Sequence, residues 1–226
     1  MTHEGTERVE DRLRKALEAE SPSARLQTAM AAGLRPRNSY IEILVERCAV
    51  EPDLFVRDVL SWALIHHDRS LTLDRVLLEL RSPIQQARSQ ALHTLAKLGD
   101  ARAWPAITTE LLQDPVDEVA RTAWRAAVAL VPPESAAALA EILSTQFNRG
   151  DRAMQRSLSR ALAALGDAAA PVVQRAKLHR DAGVRTHAFA TERLIQNPDE
   201  GFDVAIAVAQ RIVALRGAPL VGDVEL

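Results

Sequence analysis

Cysteine is almost missing: Cys48 stands alone among 226 residues, which excludes an internal disulfide framework and a cysteine-based zinc site. No apolar run approaches the roughly 20 residues that a membrane helix needs. The first fourteen residues are polar and charged, without the apolar core of a secretory signal. Those two absences lead us to expect a cytoplasmic protein with no membrane partner. Aromatics are only 4% and glycines nine, and few Asn-Gly or Asp-Gly pairs separate apolar runs, so strand and hairpin signals are scarce. Net charge is nearly absent as well, 28 basic against 30 acidic residues for a net of −2. That balance argues against nucleic-acid binding through overall charge and leaves only a local basic patch to consider. Lysine is rare, at positions 15, 97 and 177, so arginine carries nearly all the positive charge.

What is present is ample apolar material, 47% of the chain, much of it alanine. That suffices to bury a core and lets helices approach closely. The arrangement is repetitive. Ser82-Pro83-Ile84-Gln85-Gln86-Ala87-Arg88 leads through Ala91 and Leu95 to Leu98-Gly99-Asp100. Asp114-Pro115-Val116-Asp117-Glu118-Val119-Ala120 leads through Ala123 and Ala127 to Leu130. A third copy runs from Asp151 through Met154, Leu158 and Leu162 to Leu165-Gly166-Asp167. Looser copies surround Arg57, Arg185 and Arg25. The equivalent positions are Arg25, Arg57, Arg88, Ala120, Gln155 and Arg185, at intervals of 32, 31, 32, 35 and 30.

Each copy has a mechanical reading. Proline sits at the first helical turn, where its missing N–H costs nothing. Apolar or small residues follow at three- and four-residue spacing, giving one buried stripe. Gly99 and Gly166 are placed for a left-handed helix stop, and Asp100 and Asp167 for capping the next helix. The unit is therefore two antiparallel helices.

In Asp114-Pro115 with Val119, in Val56-Arg57, Ala87-Arg88 and Val184-Arg185, and in Leu-Gly-Asp at 98–100 and 165–167, the chain resembles the HEAT-repeat superfamily. The closest kind is the short bacterial HEAT-like repeat first named for phycobilisome lyases. The resemblance covers roughly residues 21–215. It implies an all-α, right-handed α-solenoid of about six antiparallel helix pairs plus a C-terminal capping helix. Residues 1–226 then form one domain. Its pairs lie near 6–33, 38–66, 71–98, 102–131, 134–165 and 168–195, with the cap near 200–215 and tails at 1–5 and 217–226. The resemblance also implies an arginine–aspartate ladder between repeats. For Arg88 the candidate partners are Asp53, Asp114 and Asp117, while Ala120 and Gln155 interrupt the ladder.

In such solenoids the second helix of each pair lines the concave side. Taking 100° per residue, Val56, Leu60, Ala63 and Leu64 form the core stripe of one such helix. The side opposite it carries Leu54, Asp58 and Trp62, then Leu92 and His93 one repeat on, then Arg121, Trp124 and Arg125, then Arg156 and Arg160. Tryptophan and arginine are over-represented at binding hot spots. Between 145 and 193, nine basic residues face four acidic ones. The expected function is a non-enzymatic scaffold that holds a segment of another protein, with an acidic stretch, in the concave groove. Trp62, Leu92 and Trp124 are the expected apolar anchors, and Arg121, Arg125, Arg156 and Arg160 the expected contacts to acidic groups. Trp104 and Cys48 are expected in the core.

Catalytic chemistry has little to stand on. His66-His67-Asp68 is the one compact ligand-like cluster, but adjacent helical histidines point about 100° apart and do not grip one metal. HEAT-like deoxyhypusine hydroxylases hold iron with repeated His-Glu pairs, and here that pair occurs only at His3-Glu4. Phosphate loops, nucleophile elbows and dinucleotide fingerprints are lacking, and neither a metal nor a cofactor is expected. The alternative is a HEAT-like DNA-binding protein, or an alkylpurine DNA glycosylase acting on duplex DNA. Trp62, Asp58, Trp124, Arg121 and Arg125 are the residue types such a groove uses. A DNA groove needs many cationic contacts to phosphate, and the N-terminal half lacks that excess.

Overall fold

Short polar side chains start five of the α-helices. The Ser21 hydroxyl accepts from the Ala24 N–H at the head of α2 (Pro22–Leu34). Asp53 does the same for α4 (Leu54–Ile65), Asp68 for α5 (Arg69–Glu79), Asp151 for α10 (Arg152–Ala164) and Asp181 for α12 (Ala182–Gln196). Each such cap satisfies an N–H that the helix itself leaves unpaired. At the other end of α6 (Gln85–Leu98), Gly99 takes the left-handed conformation with φ of 62° and donates to Leu95 O. Asp100 then accepts from the Arg102 N–H. Gly166 also has positive φ, 56°, but Asp167 lies inside a 3-10 turn and caps nothing.

The computed structural model describes residues 3–216. They are helical throughout, with no strand among them. None of these helices is long and apolar enough to cross a membrane. The expected tail at 217–226 lies outside the described residues, as do Met1 and Thr2. Residues 3–5 are no tail, because α1 (His3–Leu17) already includes them. The chain divides into two compact units, Met1–Leu130 and Val131–Leu226, with Pro132-Pro133 just past the boundary.

In the first unit, α2, α4, α6 and α8 (Asp117–Leu130) pack each on the next. Against them lie α1, α3 (Tyr40–Val50) and α5, which also pack in chain order. The inner row is held close by small residues. A Cβ on Gly33 of α2 would stand 2.5 Å from the Trp62 ring and 2.9 Å from the Ala63 Cα, so glycine is required at that approach. Buried hydroxyls pair across neighbouring inner helices: Thr94 Oγ1 donates to Ser61 Oγ at 3.3 Å, and Ser89 and Thr122 share a bond of 3.1 Å. Polar atoms inside a core cost free energy unless bonded, and here each hydroxyl satisfies its neighbour.

The repeated arginines have a common task. Arg25, Arg57 and Arg88 each send Nη1 back to the carbonyls six and five residues earlier, in the turn before their own helix. Arg185 does the same in the second unit. Arg88 also pairs with Asp114 at 3.1 Å, which settles its partner among the three candidates. Arg25 pairs instead with the fully buried Glu51 at 2.7 Å. Burial alone would push the Glu51 carboxyl up, but hydrogen bonds from Arg25, the Asp53 N–H and Arg47 hold it at about 2.

The expected outer helix at 102–113 is broken. Residues Ala101–Ala106 form a 3-10 helix containing Pro105, and α7 is only Thr109–Leu112. Proline cannot donate to an α-helical ladder, and the change of winding leaves Trp104 half-buried instead of in the core, while Ala103 and Ile107 are buried. Cys48 is buried as expected, and desolvation pushes its thiol up to about 12. The 134–147 and 168–178 helices are likewise short: α9 (Ala136–Ser144) and α11 (Ala170–Ala176) each follow a 3-10 turn.

In the second unit α10 packs on α12, and α12 on α13 (Phe202–Arg216). Phe189, Leu194, Phe202, Ile206 and Val213 form the core between the last two. His187 sits beside it, almost wholly buried, edge-on to Phe147 and Phe202.

Candidate functional site

One face of the first unit carries an open trough of about 630 Å³. Three inner helices build it. From α4 come Leu54, Phe55, Arg57 and Asp58; from α6, Ser89, Gln90 and His93; from α8, Glu118, Arg121, Thr122 and Arg125. The local reason is the one the helical wheel supplies. With Val56, Leu60 and Leu64 buried on one side of α4, Asp58 falls on the other, and the same positions one and two repeats on are Ser89 and Arg121.

Four of the expected binding residues therefore meet in this trough: Asp58, His93, Arg121 and Arg125. Asp58 is engaged already. Lys97 Nζ donates to its Oδ1 at 2.6 Å, and His93 Nε2 lies 3.4 Å from the same oxygen. The Lys97 hydrogen bond holds the Asp58 carboxyl below the usual range against the opposing effect of burial. Burial pushes His93 down, Lys97 adds to that push, and the bond to Asp58 opposes it. His93 is thus a neutral ring near pH 7.

Arg121 and Arg125 are bound far more loosely. Glu118 stands 3.9 Å from Arg121, beyond hydrogen-bond length, and the Arg121 Nε has no partner. Arg125 donates to the Thr122 hydroxyl at 3.1 Å. Arg57 clamps Glu51 O and Pro52 O through Nη1, and its Nε is also unpartnered.

The expected apolar anchors are elsewhere. Trp124 and Leu92 are both fully buried. The Trp124 indole N–H donates to Leu112 O at 2.8 Å, tying α8 to α7. Both are enclosed by neighbouring elements, α7 among them for Trp124, and a wheel drawn on one helix does not see those neighbours. Neither is an anchor. Trp62 is half-buried, lying over Gly33 of α2 with its ring 4.2 Å from that of His66, and it does not line the trough. The exposed apolar residues of the trough are Leu54 and Phe55, 64% and 74% accessible; the helical wheel puts Leu54 on this side of α4, and sequence reasoning passed over Phe55. A signal was present: their equivalents at the repeat spacing are Gln85 and Gln86, then Asp117 and Glu118, so an apolar pair at this position is a departure from the repeat.

Arg156 and Arg160 are exposed on α10 of the second unit. Among the described residues no cluster of three or more histidine, cysteine, aspartate or glutamate side chains is arranged to hold a metal. His66 and His67 instead bond the carbonyls of Trp62 and Ala63 through Nδ1, each at 2.8 Å.

No protein-family model and no curated protein matches this chain. Among solved structures it is similar to a crystal structure of an engineered protein, at 19% identity, covering 89% of this chain and 97% of that one, with a TM-score of 0.45.

Proposed function

We propose that this protein is a cytoplasmic, non-enzymatic interaction scaffold of the HEAT-like type. In this reading the helix pairs are solenoid repeats of right-handed winding, about six in all, with α13 as the terminal cap. The trough on α4, α6 and α8 holds a segment of another protein. The observation that carries the reading is the composition of that trough. It joins exposed apolar side chains, Leu54 and Phe55, to two loosely held guanidinium groups, Arg121 and Arg125. Arginine is a hot-spot residue because its planar fork bonds and stacks at once. The recurring arginine clamps and hydroxyl pairs support the repeat character.

The test is capture of partners from the native host with the wild-type chain and with the pair Arg121→Glu and Arg125→Glu. A scaffold acting through this trough loses a specific protein partner in the variant. Titration with duplex DNA over a salt series runs beside it. Tight duplex binding at 0.15 M salt, with a steep salt slope abolished by the same pair, would support the DNA-binding reading instead.

A further inference from the structure

Leu54 and Phe55 form an exposed apolar pair at the first turn of α4, next to the capping Asp53. The fold does not require them, since the equivalent residues of α6 and α8 are polar or acidic. On α8, two helices away, Arg121 and Arg125 lie one turn apart on the trough face. Within the trough the carboxylates engage them only weakly, through one long ion pair to Arg121. Asp58 is taken by Lys97 and His93, and Glu118 is 3.9 Å from Arg121. The trough is thus apolar at its α4 edge and cationic at its α8 edge, with the polar Ser89 and Gln90 between.

We infer that the trough takes an extended partner segment bearing a large apolar side chain at one end and carboxylates at the other. This rests on the scaffold reading and specifies its ligand. Neighbouring helices stand 8–10 Å apart, so the two edges are about 20 Å from each other. An extended chain rises about 3.3 Å per residue and covers that distance in about six residues. The ligand is therefore an apolar residue with an acidic pair about six positions away. The apolar end supplies anchoring by desolvation, and the acidic end sets register and hastens encounter.

The experiment is fluorescence anisotropy of the full chain with a labelled twelve-residue peptide. The peptide carries a phenylalanine and, six residues on, two adjacent glutamates in a glycine-serine background. We expect saturable binding, weakened at least about tenfold by Leu54→Ser with Phe55→Ser, and likewise by Arg121→Gln with Arg125→Gln. Peptides with the spacing cut to two residues, or with glutamine for glutamate, should bind as weakly. The arginine effect alone should shrink as salt rises. Circular dichroism of each variant, matching the wild type, shows that the loss is not one of folding. Absence of saturable binding, indifference to spacing, or binding of labelled duplex DNA in place of the peptide each overturns the inference. Those outcomes leave the scaffold reading to the host-partner experiment, which uses no designed peptide and succeeds or fails independently.

Discussion

Trp124 fills the space between α8 and the turn after α7, and its ring is fully enclosed. Truncation to alanine therefore leaves a cavity and also leaves Leu112 O without its donor. Trp124→Ala should lower stability by about 3–5 kcal/mol, read as an earlier urea midpoint at unchanged slope. A midpoint equal to wild type would place the ring outside the core. His187 gives a second residue-scale expectation. It accepts from the Asn148 N–H through Nδ1 at 3.0 Å, and its Nε2 donates to Gln155 O at 2.9 Å, with Ser159 Oγ at 3.1 Å. This is a neutral ring with its proton on Nε2. Burial pushes its pKa down to about 4, with the bond to Gln155 O opposing. The unfolded chain, with an ordinary histidine pKa of about 6.5, takes up a proton that the folded chain refuses. The stabilisation is present above pH 6.5 and is lost as the pH falls toward 4, by about 3 kcal/mol in all. His67 and His93 are lowered as well, so the informative quantity is a difference. His187→Gln should flatten the fall in stability between pH 7 and 4.5 relative to wild type. Equal slopes would show that His187 is accessible to protons in the folded chain.

Helices and the turns between them are tied by the arginine clamps. Arg88 joins three pieces: its own helix α6, the turn at Ser82 and Pro83, and Asp114 ahead of α8. Its side chain is only 17% accessible and that of Asp114 9%. Arg88→Ala should cost about 1–3 kcal/mol, because two carbonyls and a carboxylate lose a donor together. A loss below about 0.5 kcal/mol would mark it as a solvated surface arginine. The inner helices were legible at this scale almost to the residue, since the apolar stripe recurs in every copy and a proline, a capping serine or aspartate, or both mark each start. The outer helices were not. Pro105 stands in the middle of one, and whether a chain bends there, tightens into a 3-10 turn or stops depends on what packs beneath it. The hydroxyl pairs were also missed. Ser61 with Thr94, Ser89 with Thr122 and Ser159 with Thr191 recur at separations of 33, 33 and 32 residues. That periodicity was readable, but small polar residues on a helix look like surface until a neighbour covers them.

Across the first unit, each helix packs on elements no more than three places away in the chain, and the packing is heaviest between successive inner helices. Where contacts are local, stability is a sum of units and interfaces, and an interior piece is dispensable. Removing residues 84–113 takes out α6, the 3-10 helix and α7, and brings α8 up to α4. Val119 and Ala123 then occupy the places of Ala87 and Ala91, positions that are buried in every case. The shortened chain should keep a helical circular dichroism spectrum and a cooperative urea transition. A chain with neither would mean that contacts distant in sequence hold the unit together.

Composition and periodicity alone determined that the described chain is all-helical, where the inner helices start and stop, and which side of each faces its own core. These follow from forces acting within one or two turns: caps, left-handed glycine stops and the 3.6-residue spacing of apolar side chains. Tertiary structure alone decided which residues on the remaining side stay accessible. Trp124 and Leu92 lie only about 60° around the helix from the position Asp58 holds on its own, yet the first two are buried and the third meets water. The angle is a property of one helix. Accessibility depends on the distance and rotation of the next, which small residues such as Gly33 and Ala63 set by how closely they let two backbones approach.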